Sequence, residues 1–176
     1  MENTVTQKSK RDIRSMVILA LFTAIELLFC FTPLGSLPLG PGIVATLAHI
    51  PALIIALTME KRHALYMGLL MGICSLIVWT FMPPNPLYAF AFSPFAPYGN
   101  FMSLIIAIVP RAVFPVFACA LNDILKKKIK IVASAAISSI AASILHSVLV
   151  LGGIYIAFTG NPEITQVNIG VGKNPG

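Results

Sequence analysis

Five long apolar stretches decide what this chain can fold into. They run Ser15 to Thr32, Pro41 to Thr58, Ala64 to Met82, Phe101 to Leu121 and Ile131 to Phe158. Each is close to the roughly 20 residues a helix needs to cross a hydrocarbon core. One acid, Glu26, and one cation, Arg111, interrupt them. Backbone amides cannot go unpaired in lipid, so such stretches become helices that pack together. The sequence predicts an all-α fold, a polytopic transmembrane helix bundle. A soluble domain of 176 residues that is 57% hydrophobic and 10% charged could not hide its apolar surface.

The charges fall between the stretches. Ten of the 12 Lys and Arg lie in three places: Lys8 to Arg14, Lys61 with Arg62, and Lys126 to Lys130. These places share one side if the chain crosses at each stretch. The opposite connections, Phe31 to Gly40 and Pro83 to Asn100, carry no Lys or Arg. Positive loops stay inside, which predicts a multi-pass plasma-membrane protein with its N-terminus in the cytoplasm. The net charge of +6 would suit nucleic acid, but no basic stripe with interleaved aromatics supports that reading. The chain continues past its basic, apolar start without a small-residue cleavage site, so that start reads as a first helix, not a signal peptide. Cys30, Cys74 and Cys119 are odd in number and far apart, and imply no disulfide framework.

The spans divide the chain into a polar tail over 1–14, a transmembrane domain over 15–158 and an outer-side loop over 159–176. Pro33 to Gly42 holds three prolines and three glycines, and reads as a stiff outer loop. Pro83 to Asn100 carries Tyr88, Phe90, Phe92, Phe95 and Tyr98 with no charge. Such a segment is expected to fold back onto the bundle as a lid, or to anchor at the interface as an aromatic belt.

Arg111 is the sharpest single signal. It sits mid-span between Pro110 and Pro115. An arginine at that depth costs roughly 2.5–3.5 kcal/mol and normally faces the bundle interior with a partner or ligand. By helical rise it lies about 22 Å above Lys126, and Glu26 lies about 18 Å above Arg14. Two readings follow. Glu26 and Arg111 form a structural salt bridge, or Arg111 offers its planar fork to a solute carboxylate. His146 lies about 24 Å above Lys130, and His49 nearer the midplane. Histidines at different depths make no metal site, and no carboxylate cluster or cysteine pair joins them. Ser93, Ser103 and Ser147 fall near His146 in depth, so an intramembrane serine–histidine enzyme is a rival reading, without a local motif behind it. No phosphate-binding glycine loop is present. Ala20 and Ala24 share one face of the first helix, with Glu26 about 200° from Ala24 on the other. Gly68 with Gly72, and Ala48 with Ala52 and Ala56, repeat the small-residue spacing that lets helices pack closely.

The runs FTPLGSLPLGPG with the following HIP, SPFAPYGNFMSLIIAIVPR and VLVLGGIYIAF carry a resemblance. From about Val17 to Phe158 the chain resembles the substrate-binding S components of energy-coupling factor transporters, the pantothenate-type branch above all. The resemblance implies a six-helix membrane protein that binds a small water-soluble vitamin from outside, under outer loops. It implies docking on a transmembrane coupling subunit with two cytoplasmic ATPases, so that ATP hydrolysis falls to partners and this chain is no enzyme. Ala20 and Ala24 match the docking motif, and Arg111 matches the arginine of the P-R motif, a substrate contact. His146 stands where the resemblance leads one to expect asparagine. Five spans are present of the expected six, and the sequence stops in the loop that should lead to the sixth, so a truncation there is expected. The solute site is expected to draw on Arg111, His146, Asn100 and Glu26, closed by Tyr88, Phe92 and the proline-rich loops. No metal, cofactor, catalytic residue or nucleic-acid partner is expected. A ligand-free structural subunit is the remaining alternative.

Overall fold

The computed structural model describes residues 2–32, 36–40, 43–84 and 88–158, with side chains from Asp12 onward apart from those of 36–46. The run 159–176, including the expected outer loop, lies outside the described residues. Helix α1 spans Glu2–Phe31. It contains neither proline nor glycine, so the helix runs on through the polar residues ahead of the first apolar stretch. It stops ahead of Pro33, which disfavours helical geometry in the residue before it. Helix α3 spans Lys61–Phe81 and ends before Pro83 and Pro84. Helix α5 spans Phe101–Leu125 and α6 spans Ile131–Phe158. These four helices are long and apolar enough to cross a membrane. The chain is a multi-pass helical membrane protein.

The second apolar stretch departs from the expected single span. Strand β1 (Ser36–Gly40) pairs antiparallel with β2 (Ile43–Thr46), with Leu37 opposite Ala45 and a register shift between Pro38 and Gly40. Helix α2 then covers only His49–Thr58, about 15 Å of rise. Three β-branched residues, Ile43, Val44 and Thr46, favour the strand. Pro51 lacks an amide hydrogen and is tolerated only in a helix's first turn, which fixes the start of α2 near His49.

Two clusters hold the bundle together. One joins Ile55 of α2, Met67 and Met71 of α3, Phe114 and Ala118 of α5, and Ala142 of α6. The other joins Phe90, Ile106 and Phe158, with the Phe90 and Phe158 rings edge to face at 5.0 Å. The Gly68–Gly72 pair is the seam between α3 and α5. A Cβ on Gly68 would lie 2.5 Å from the Arg111 carbonyl oxygen and 2.9 Å from the Ala112 Cα, which are backbone atoms that cannot step aside. Gly68→Val should therefore lower stability by about 1–3 kcal/mol through overpacking. Gly152, with nothing within 4 Å, should accept alanine without loss. Thermal unfolding of the purified protein in detergent distinguishes the two.

The three basic clusters meet at one end. Asp12 and Ser15 of α1 line a cleft of about 490 Å³ together with Glu60, Arg62 and His63 of the α2–α3 turn. Asn122 of α5 donates from Nδ2 to the Leu57 carbonyl of α2 at 3.4 Å and accepts from Ser134 Oγ of α6 at 2.6 Å. The bond to Leu57, with Cys119 Sγ donating to the Met59 carbonyl at 3.7 Å, satisfies carbonyls at the end of α2 that have no helical donor. The outward face of α6 carries Ser139, Ser143 and Ser147, and each hydroxyl donates to the carbonyl four residues earlier. Polar groups on an apolar helix face are thereby paired within the helix.

Candidate binding site around Arg111

The site lies at the other end, where α5 begins. Asn100 caps α5: its Oδ1 accepts from the Ser103 amide at 3.2 Å, and Ser103 Oγ accepts from the Asn100 amide at 3.1 Å. Ser103 Oγ also donates to the Phe90 carbonyl at 2.6 Å, tying the short helix α4 (Ala89–Phe92) to α5. Ser93 Oγ and Thr80 Oγ1 lie 2.8 Å apart, which ties α4 to the end of α3. Ala89, Phe90 and Ala91 are buried. Of the two readings of this loop, the segment does fold back onto the bundle. Tyr98 adopts a left-handed φ of 67°, and Gly99 approaches within van der Waals contact of the Ser93 carbonyl, where no side chain would fit.

Arg111 sits ten residues into α5 between two prolines. Neither proline can donate a backbone hydrogen bond, so the carbonyls of Ile106 and Arg111 lose their helical donors. The glycine seam lets α3 close against that loosened turn. The arginine is 7% exposed, so it faces the interior and not lipid. Its Nη1 donates to the Ala107 carbonyl at 2.9 Å, which turns the side chain back toward the start of α5. Its guanidinium carbon lies 5.0 Å from the centre of the Phe92 ring, and the Trp79 ring of α3 packs against Phe92 with ring centres 4.8 Å apart. A cation roofed by an aromatic face gains about 0.5–2 kcal/mol.

Glu26 is fully buried on the side of α1 opposite Ala20 and Ala24, which are exposed. Its Oε1 accepts from the Cys30 thiol at 3.6 Å, and its Oε2 has no partner. The salt bridge considered from the sequence is not formed. Among the described residues the ion pairs are Arg62 with Glu60 and Lys126 with Asp123, both at the basic end. Among the described residues, Arg111 thus carries a buried charge with no carboxylate paired to it.

His146 of α6 meets His49 of α2 edge to face at 4.7 Å and Phe114 of α5 at 5.7 Å. Its Nε2 is buried and has no partner. The two histidines are therefore neighbours, which corrects the estimate that set them at different depths. Rise counted along separate helices ignores where each helix starts and how it tilts. Helix α2 begins only at His49, so that ring stands at the helix mouth. Buried polar atoms are normally paired; among the described residues Glu26 Oε2, His63 Nδ1, Ser138 Oγ and His146 Nε2 have no partner, and the Glu26 and His146 atoms belong to the half of the bundle that holds Arg111.

The sequence candidates divide. Arg111, Phe92, His146 and Glu26 gather in this half of the bundle. Asn100 spends its side-chain oxygen on the helix cap, about 16 Å of helical rise from Arg111. Tyr88 is 38% exposed at the rim. Trp79, His49 and Phe114 belong to the cluster without having been singled out for it. A lone tryptophan near a helix end was the one signal available for Trp79. The serines of the enzyme rival are engaged elsewhere: Ser93 with Thr80, Ser103 with Phe90, and Ser147 with its own helix.

No family model matches the chain. Over 158 residues it is 27% identical to the pantothenic acid transporter PanT of Lactococcus lactis subsp. cremoris (strain MG1363), covering 86% of this chain and 76% of that protein. That likeness covers most of the chain. It supports the resemblance of this chain to the pantothenate-type S components of energy-coupling factor transporters.

Proposed function

We propose that the chain is the substrate-specific membrane subunit of an energy-coupling factor vitamin importer, with pantothenate as the favoured solute. The observation that carries this reading is the buried guanidinium of Arg111, which pairs with no carboxylate among the described residues, with the unpartnered His146 Nε2 in the same half of the bundle. Arg111 takes the solute carboxylate in a two-bond fork. His146 and Glu26 take hydroxyl or amide groups, with Asn100 at the mouth. Phe92 and Tyr88, with the proline-rich loops, close over the solute and exclude water. The basic end faces the cytoplasm, so the α4 loop and the β-hairpin face outward and receive the vitamin there. Ala20 and Ala24 offer a flat patch for a transmembrane coupling subunit, and two ATPases bound to that subunit supply the energy.

A titration of the purified protein against pantothenate, biotin, riboflavin and thiamine tests this. An uncompensated buried cation attracts an anion and repels another cation. Pantothenate should bind and thiamine should not. Tight thiamine binding, or no binding by any of the four, overturns the assignment, and the second result would favour a purely structural subunit.

A further inference from the structure

We propose that Cys30 and Cys74 form an oxidisable dithiol, a modification site that covalently ties α1 to α3 beside Glu26. Helices α1 and α3 run parallel, and Thr23 Oγ1 donates to Met67 Sδ across their seam at 3.8 Å, an offset of 44 residues. Parallel helices that pack along a seam return to it about every seven residues. Seven residues on from Thr23 and Met67 stand Cys30 and Cys74, again 44 apart. The two thiols interact as direct neighbours. Helices packed about 8–10 Å apart, with Cα atoms about 2.3 Å from each axis, bring facing Cα atoms to roughly 3.4–5.4 Å, the wider spacings being those a disulfide can bridge. A disulfide needs roughly 4.4–6.8 Å.

Access sets the order of events. Cys30 is half-buried and Cys74 is 2% exposed, so a reagent reaches Cys30 first and Cys74 resolves the adduct. The oxidant is a small disulfide. Cys30 sulfur attacks one of its sulfurs, gives up its proton and releases one thiol. Cys74 sulfur then attacks Cys30 sulfur, gives up its proton and releases the second. Two protein thiols are oxidised, one external disulfide is reduced, and one S–S bond forms. The bond also removes the thiol hydrogen that Glu26 Oε1 accepts, so chemistry at the pair reaches the Arg111 half of the bundle. Cys119 stands apart at the basic end on the Met59 carbonyl.

The test uses the full chain in detergent and dithiodipyridine, an apolar disulfide. Trypsin cuts at Lys61 and Arg62, between the two cysteines. After treatment the fragments carrying Cys30 and Cys74 should stay joined until dithiothreitol is added, with no link between chains. Cys30→Ser and Cys74→Ser should each lose the link. Wild-type protein alone gives the decisive reading, so a poorly folding variant does not obscure it. Fragments that separate without reductant, a reagent adduct left standing on Cys30, or a link only between two chains each overturn the proposal.

Discussion

Arg111→Ala is expected to weaken pantothenate binding by roughly 30-fold to a few thousand-fold, the range for losing one partner of a buried charge pair. The expectation rests on what the arginine does without solute. Its hydrogen bond runs to Ala107 on its own helix, and among the described residues no carboxylate pairs with it. A charge buried in that way burdens the empty fold, and a partner that arrives from outside removes the burden. Binding and stability should therefore separate. Removing a structural ion-pair member typically costs 3–5 kcal/mol, whereas removing an unpaired buried charge costs little or stabilises. The variant should unfold at or above the wild-type temperature while its titration fails. A variant that both unfolds early and binds normally would make Arg111 a structural residue.

Ala24→Trp should abolish uptake in cells that carry the coupling module and leave binding by the isolated subunit at its wild-type value. Ala20 and Ala24 are exposed, and Ile13, Val17 and Phe31 flank them with exposures of 58%, 62% and 45%. Glu26, on the opposite face, is fully buried. One helix thus shows a flat apolar surface outward and a carboxyl group inward. An indole on the flat side blocks close helix approach without reaching the interior. Radiolabelled uptake and a binding titration on the same variant separate the two faces. Uptake that survives the substitution would move the docking surface elsewhere on the bundle.

The membrane class was legible because apolar length and backbone pairing leave few alternatives. The inward-facing Arg111 was legible for the same reason, since lipid penalises any other orientation. The Gly68–Gly72 spacing gave only a weak hint, yet it marks where α3 meets the Arg111 turn. Its meaning depends on Pro115 stripping a donor from the facing carbonyl, and sequence spacing says nothing about which helix faces which. The sequence places the β2 half of the hairpin in a span, because its residues are apolar, and the β1 half in a stiff outer loop. The prolines and glycines around it, and the β-branched run in Ile43 to Thr46, were the signals against a helix. The His49–His146 contact and the Trp79–Phe92–Arg111 stack depend on helix offset and tilt, which periodicity does not encode. Glu26 and Arg111 were placed at similar depth, but depth alone did not make them partners.

Setting pantothenate against the alcohol in which a hydroxymethyl group replaces its carboxylate isolates the contact between Arg111 and the acid. Both solutes are titrated into wild-type protein and into Arg111→Gln. Wild-type protein should prefer the acid by roughly a hundredfold or more, and the glutamine variant should prefer neither, so the coupling between the two changes carries the whole effect. Equal binding of acid and alcohol by wild-type protein, or a preference that survives in Arg111→Gln, would rule out Arg111 as the partner of the carboxylate.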